Sequence, residues 1–284
     1  MNSLVLKSPA KLNLYLDVLR KRPDGYHDIE TIFERIDLFD RITLAKIPFG
    51  IRITSNRRDL PLDQTNLAYR AASLIFRGKA KGGVRIHLHK RIPVAAGLGG
   101  GSSNAATVLM GLNRLYHFRI PFRKLLSMGE TLGSDVPFFL YQTPFAIGRK
   151  KGDQIVPVRS SLKMLHLIVN NRVKVLTKEV YQQVSFTLTK KSQGAKIFQH
   201  FIEKKDLNGL IENCYNALEA PAIKGYPGIL KIKETLKAHG VEGATLSGSG
   251  PTVFGFARSL SQAKALRKAI LSKYDWDVFI CSTY

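Results

Sequence analysis

The stretch Pro93-Val94-Ala95-Ala96-Gly97-Leu98-Gly99-Gly100-Gly101-Ser102-Ser103-Asn104-Ala105-Ala106 decides how this chain reads. Four glycines and two serines stand directly ahead of Ala105-Ala106-Thr107-Val108-Leu109-Met110, an apolar run that starts a helix. Glycine lets backbone N–H groups approach an anion closely, and a helix N-terminus adds unpaired donors and partial positive charge. The loop follows the alternating run Val84-Arg85-Ile86-His87-Leu88, so it joins a strand to a helix and reads as a phosphate cradle. The alternatives are a flexible linker or a plain turn capped by Ser103 or Asn104, but linkers are not normally wedged between two regular elements. Two common nucleotide fingerprints fail: Ser102 stands where a Walker loop has its lysine and where the dinucleotide pattern has its third glycine. Such a cradle works through backbone amides and hydroxyls, Ser102 and Ser103 among them, with the cation supplied from elsewhere, a metal ion included.

Working outward, Lys11 and Asn13 are two apart on an alternating strand and share a face, while Leu12 and Leu14 take the opposite, buried one. A lysine and an amide projecting together suit a polar substrate; in isolation they also fit an exposed strand face. Arg20-Lys21-Arg22-Pro23-Asp24-Gly25-Tyr26-His27 holds a strong turn signal, Pro23-Asp24-Gly25, that presents an aromatic ring beside an imidazole. Such a pair either reads a nucleobase by stacking and edge contacts or packs on a hairpin. Gly133-Ser134-Asp135-Val136-Pro137-Phe138-Phe139 sets one carboxylate against an apolar segment. Asp135 is either a cap or turn residue, the commonest fate of such an aspartate, or a partly buried base whose proton affinity is held down if Lys11 lies close. Gly243 to Thr252 forms a second glycine–serine loop, a weak signal alone because hairpins use the same residues.

At 284 residues and 44% hydrophobic content the chain holds one large or two modest domains with ample core. No apolar run approaches the roughly 18–20 residues of a membrane span. The N-terminal residues run into a strand-like pattern without a signal-peptide cleavage site, which makes the cytoplasm the default location. Cys214 and Cys281 are too few for a disulfide framework and lack metal-ligand spacing. The net charge of +23, from 44 basic and 21 acidic residues, fits a nucleic-acid partner, anionic substrates or a host-wide basic style. Its clusters (Arg57-Arg58, Arg149-Lys150-Lys151, Lys190-Lys191, Lys204-Lys205) are short and not interleaved with aromatics, which counts against nucleic acid.

Periodicity predicts strands over 12–18, 84–89, 164–169 and 276–281, and extended segments over 30–36, 41–45 and 50–54. Helices are expected over 66–76, 104–116, 122–132, 177–184, 195–203, 228–238 and 261–273, with paired strands over 241–257. This mixture implies an α+β fold rather than a regular parallel array. Basic and polar residues near 145–160 mark the boundary, giving domains 1–150 and 151–284, with the last strand, about 275–284, a candidate to return to the first.

In this order the segments resemble the GHMP kinase family (galactose, homoserine, mevalonate and phosphomevalonate kinases). The resemblance spans the chain and rests on Pro9-Ala10-Lys11-Leu12-Asn13, Pro93 to Ala106, and Leu246-Ser247-Gly248-Ser249-Gly250. It implies a two-domain kinase with its active site in the inter-domain cleft, using ATP and Mg²⁺. Within the family, Arg22 to His27, the triple glycine and Gly133 to Phe139 are similar to members acting on 4-diphosphocytidyl-2-C-methyl-D-erythritol in non-mevalonate isoprenoid synthesis. That likeness implies transfer of the ATP γ-phosphoryl to the substrate's 2-hydroxyl. It implies Asp135 as base, Lys11 orienting the hydroxyl and offsetting charge, and Asn13 holding the substrate. Tyr26 would stack on the cytosine, His27 would hydrogen-bond it, and Tyr181 would be the second aromatic. The adenosine end would lie near Asn66 and Leu67, and the phosphates over Pro93 and the run Gly97, Leu98, Gly99, Gly100, Gly101, Ser102, Ser103 and Asn104.

The chain departs from the family in Ala146-Ile147-Gly148-Arg149-Lys150-Lys151-Gly152-Asp153, with Lys150 at an expected glycine and Asp153 for glutamate. Competing readings are a kinase of homoserine or a mevalonate-like alcohol, against which Tyr26, His27 and the triple glycine argue, and a non-catalytic basic relative that binds nucleic acid. Retention of Lys11 and Asp135 argues against the last. The expected partners are the small-molecule substrate and ATP, with no membrane and a monomer or weak homodimer.

Overall fold

Alternating apolar residues from Leu4 to Val18 form a long strand, β1 (Ser3–Lys21), in a computed structural model that describes residues 1–77, 82–184 and 194–284. The turn at Pro23-Asp24-Gly25 returns the chain into β2 (His27–Ile47), followed by β3 (Phe49–Ser55), α1 (Leu67–Phe76) and β4 (Gly82–His89). Next come α2 (Gly100–Leu115), α3 (Phe122–Leu132), α4 (Val136–Tyr141), β5 (Phe145–Lys150), β6 (Gln154–Val158) and β7 (Leu165–Asn170). The remainder is α5 (Thr177–Gln182), α6 (Gly194–Lys204), α7 (Leu207–Asn213), β8 (Tyr215–Asn216), α8 (Glu219–Gly225) and α9 (Gly228–Ala238). The chain closes with β9 (Glu242–Leu246), β10 (Val253–Phe256), α10 (Leu260–Leu271) and β11 (Asp277–Ser282). The mixture is α+β, as the pattern implied.

Contacts group the chain into two units: residues 1–10, 38–94 and 99–142 in the first, and 11–37, 95–98 and 143–284 in the second. In the first, Arg41–Ile47 of β2 pairs antiparallel with β4, and β3 joins β4 in parallel. The helices α1, α3 and α4 all pack on α2. Gly111 lets α2 approach the sheet closely, because a Cβ there would sit 2.6 Å from the Leu44 and Leu6 side chains. In the second, Ile29–Glu34 of β2 pairs with β5, β5 with β6, and Tyr15 and Leu16 of β1 with β8. A four-stranded sheet in the order β11-β7-β10-β9 is covered by α9 and α10 over a core of Leu167, Val169, Ile229, Ile232, Leu266 and Ile270. Past the end of β11, Thr283 bridges Ile36 of β2.

The structure corrects several sequence expectations. Segments 30–36 and 41–45 are one continuous strand, β2. Helix α2 begins at Gly100 rather than at 104, because Gly99 takes a left-handed turn (φ 67°) that starts the helix inside the glycine run. The strands of a hairpin, β5–β6, within the basic stretch near 145–160 were not expected; its turn holds Lys150 at φ 57° and Gly152 at φ 92°. Helices α4, α7 and α8 have no counterpart in the periodicity; α7 is started by Asp206, whose carboxylate accepts from the Gly209 N–H at 2.9 Å. The Lys190-Lys191 cluster lies outside the described residues.

Candidate active site

In the first unit, the N-cap of α2 is Gly99, which carries no side chain to cap with, so neither Ser103 nor Asn104 plays that part. The Ser103 N–H closes the first intrahelical bond, to the Gly99 carbonyl at 2.9 Å. The first-turn N–H groups of Gly100, Gly101 and Ser102 lie ahead of that bond and have no intrahelical acceptor. Gly101 is exposed and Ser102 half-buried. Leu67, the first residue of α1, borders this turn: a Cβ on Gly101 would stand 3.6 Å from Leu67 Cδ1. Asn66 caps α1, its Oδ1 accepting from the Ala68 N–H at 2.9 Å while its Nδ2 donates to the Pro61 carbonyl at 2.8 Å. On the other flank, a Cβ on Gly133 would stand 3.8 Å from Ser102 Oγ, which brings the Gly133-Ser134-Asp135 turn beside the same helix start. Asp135 is half-buried and leads into α4 without capping it by its side chain.

Ser103 and Asn104 turn inward, away from that surface. Ser103 Oγ accepts from the Ser8 hydroxyl at 2.8 Å, and Asn104 Nδ2 donates to Ser8 Oγ and to Asp40 Oδ2, each at 2.9 Å. Asp40, fully buried, also accepts from the Lys90 ammonium and from the Arg91 and Ile92 N–H groups at 2.8 and 3.0 Å. Burial pushes the Lys90 ammonium below its ordinary proton affinity, and Asp40 works against that shift. Pro93 follows directly on Ile92, at the start of the glycine run.

In the second unit, Lys11 and Asn13 do share a face of β1, and the Lys11 ammonium donates to Asn13 Oδ1. Leu12 and Leu14 are fully buried as expected, but Lys11 and Asn13 are buried too, so the exposed-strand alternative fails. Asn13 Nδ2 donates to Thr31 Oγ1 at 2.8 Å, and the ammonium lies 5.6 Å from the Phe33 ring centre. Two loops close on this pair. The Lys11 N–H donates to the Leu98 carbonyl at 3.0 Å, and Ser247 Oγ donates to the Gly97 carbonyl at 3.1 Å. A Cβ on Gly248 would stand 3.4 Å from the Lys11 ammonium and 3.5 Å from Asn13 Oδ1. Asn216 holds this second loop, its Nδ2 donating to the Leu246 and Gly248 carbonyls at 2.7 and 2.8 Å.

The hairpin turn carrying Tyr26 is tied down by Arg22, which pairs with Asp24 and with Asp28 at 2.8 Å. The Arg22 and Arg20 guanidiniums hold the Asp28 carboxyl below the usual carboxylate range. Tyr26 is 59% exposed, with the Lys151 ammonium 5.1 Å from its ring centre. His27 stacks on Tyr181 with ring centres 5.0 Å apart. Burial, then Lys21, lowers the proton affinity of His27, which favours the neutral ring. The structure therefore joins His27 to Tyr181 directly, and joins Lys11 to Asn13.

Two family models match the chain: the GHMP kinases N terminal domain over residues 66–143 and the GHMP kinases C terminal domain over residues 198–275. The chain belongs to the GHMP kinase family. It is an ATP-dependent small-molecule kinase. A relative from Geobacter metallireducens called 4-diphosphocytidyl-2-C-methyl-D-erythritol kinase is 43% identical over 280 residues, 98% of each chain. A crystal structure of 4-(cytidine 5'-diphospho)-2C-methyl-D-erythritol kinase superposes with a TM-score of 0.79 at 33% identity, covering 98% of this chain and 99% of the other. A homoserine kinase from Cytophaga hutchinsonii superposes at 0.72 with 16% identity, over 100% and 95% of the two chains, which is likeness of fold alone. Among the described residues of this GHMP kinase no helix is long and apolar enough to cross a membrane.

Sequence reasoning passed over Thr31, Phe33, Asp40, Lys90 and Asn216. For Asp40 the signal was present: a carboxylate in register with the apolar face of Ile36, Leu38, Ile42 and Leu44, the face opposite that of Asp37. Asn216 and Thr31 carried no such signal, because their partners are backbone and side-chain groups distant in sequence.

Proposed function

We propose that this GHMP kinase transfers the ATP γ-phosphoryl to the 2-hydroxyl of 4-diphosphocytidyl-2-C-methyl-D-erythritol, giving the 2-phosphate, in non-mevalonate isoprenoid precursor synthesis. One observation carries the substrate: 43% identity over 98% of the chain to a relative of that name, whereas homoserine and mevalonate kinases share only 15–18%. Tyr26, His27 and Tyr181 supply the chemistry a cytosine needs, two aromatic faces and a neutral imidazole edge. Stacking of this kind is worth about 1–3 kcal/mol per base by alanine substitution.

Phosphoryl transfer is mostly positioning and charge neutralisation. In the proposed step the substrate oxygen bonds to the γ-phosphorus as the bridge to the β-phosphate breaks, ADP leaves, and the hydroxyl proton passes to the Asp135 carboxylate. Lys11, its ammonium held by Asn13, orients the hydroxyl and offsets negative charge, and Asn13 holds the substrate. The N–H groups of Gly99 to Ser102 and the Ser102 hydroxyl take the phosphates; Asn66 and Leu67 border the adenosine. Gly97 and Leu98 serve through their backbone, and Ser103 and Asn104 by fixing the helix behind it. Mg²⁺ would enter with ATP and supply positive charge at the phosphates, and the Ser102 hydroxyl at the helix start would be one side-chain oxygen able to hold it. The domain division near residue 150, between the two family-model matches, a cytoplasmic location, a monomer or weak homodimer and the absence of a nucleic-acid partner belong to the same reading.

ATP consumption assayed with the cytidyl substrate, homoserine and mevalonate tests it. Turnover with the first alone is expected. Preference for either of the others overturns the substrate, and salt-sensitive RNA binding without turnover overturns the enzyme reading.

A further inference from the structure

The glycine run lacks a lysine of its own, yet a buried ammonium sits directly behind it. A Cβ on Gly100, the first residue of α2, would stand 3.2 Å from Lys90 Nζ. That ammonium is anchored by Asp40 and also donates to Asn104 Oδ1 at 3.1 Å. Asp40 in turn takes the Arg91 and Ile92 N–H groups, where the chain leaves β4, and the Asn104 amide, one turn into α2. One carboxylate thus grips the two ends of residues 93–103 at once.

We propose that Asp40 is a positioning residue for the nucleotide: it staples the beginning of the glycine loop to the first turn of α2 and so presets the Gly100, Gly101 and Ser102 amides for an anion. The staple acts through backbone and through Lys90, and Asp40 does not touch ATP. A preset cradle binds without paying to order itself. The carboxylate has no solvent exposure and its oxygens serve loop ends, Lys90 and Asn104, a distribution that fits closing the loop better than generic core filling. Lys90, whose proton affinity burial lowers and Asp40 works to restore, lies behind these amides with its side chain held on Asp40. This inference rests on the reading that the loop holds ATP.

The test compares wild type with Asp40→Asn and with the exchange Asp40→Asn/Asn104→Asp. The single variant leaves an amide Oδ1 for Arg91 and Ile92 but turns an NH₂ toward the Asn104 NH₂ and the Lys90 ammonium. The exchange returns a carboxylate to face Lys90 and an amide donor to face it in turn. Calorimetric titration with MgATP, KM for ATP, KM for the acceptor and the thermal midpoint are read for each. Loss of geometry at a reacting site of this kind is large, so the single variant should weaken ATP binding about tenfold or more. KM for the acceptor should stay within about twofold, and the exchange should recover most of the ATP affinity. Wild type that binds no MgATP would overturn the nucleotide reading itself, separately from the staple. If wild type binds and the folded single variant binds as tightly, or acceptor KM rises as much as ATP KM, Asp40 is ordinary core. An exchange variant that is folded and no tighter than the single variant also overturns the staple. Should the single variant fail to fold, Asp40→Asn/Lys90→Met removes the stranded charge and must bind ATP more weakly than Lys90→Met alone; equal affinity overturns the staple.

Discussion

Gly97→Ala probes the interlock between the two glycine loops. Gly97 has φ 75°, and a Cβ there would stand 2.1 Å from the Ser247 carbonyl oxygen and 3.2 Å from the Gly250 nitrogen. Forcing alanine into the left-handed region costs roughly 1–2 kcal/mol. Carbon contacts want roughly 3.5 Å, so the Ser247 carbonyl must retreat by about 1 Å or more. That movement breaks the Ser247 hydroxyl bond to the Gly97 carbonyl, worth about 1 kcal/mol net. The sum is roughly 2–3 kcal/mol of destabilisation. Gly25→Ala is the control: its φ of 82° carries the same backbone cost, but nothing lies within 4 Å of its Cβ. It should therefore lose only roughly 1–2 kcal/mol. Urea unfolding of the two variants measures the difference. Because Gly248 abuts Lys11 and Asn13, Gly97→Ala should also lower kcat in the folded fraction, whereas Gly25→Ala acts at the hairpin that carries Tyr26 and should move KM for the cytidyl substrate at most. Equal stabilities for the two variants, within about 0.5 kcal/mol, would refute the contact argument.

Other outcomes follow from the same geometry. Asp135→Ala should abolish turnover while leaving binding of both substrates largely intact; near-normal turnover in that variant sinks the base assignment. Tyr26→Ala should chiefly raise KM for the cytidyl substrate, by roughly 5- to 150-fold for a stacking loss of about 1–3 kcal/mol, with KM for ATP unmoved. His27 is held below its ordinary 6.5, first by burial and then by Lys21. As pH falls through 6.5 the unfolded chain takes that proton before the native one does, so the His27 contribution to stability is lost on acidification. His27→Gln should flatten the stability slope between about pH 7 and 5, and an unchanged slope would refute it.

The sequence was most legible where a function rests on local pattern. Lys11 and Asn13 share a face because a strand has period two, and the glycine run starts a helix because apolar spacing resumes behind it. It was least legible where tertiary context decides. The burial of Lys11 comes from loops at 95–98 and 246–250 closing over β1, which no window of β1 records. The inward turn of Ser103 and Asn104 needs Ser8, Asp40 and Lys90, brought in from β1, β2 and the end of β4. The β5–β6 hairpin was masked by its own turn: the basic run Arg149-Lys150-Lys151 carries no turn signal at Lys150, yet Lys150 adopts the left-handed geometry that glycine favours. That also explains how a chain with lysine at this position keeps the turn, and why its following lysine reaches Tyr26.

The direct test of the central claim is the phosphorus NMR spectrum of the product made from ATP and 4-diphosphocytidyl-2-C-methyl-D-erythritol. The acceptor carbon carries a methyl group and no hydrogen. Phosphorylation at its hydroxyl should therefore give a new phosphomonoester resonance with no splitting by a proton three bonds away, beside an unchanged diphosphate pair, and only with Asp135 in place. A monoester split by a neighbouring proton would move the reaction to another hydroxyl, and no product would contradict the account outright.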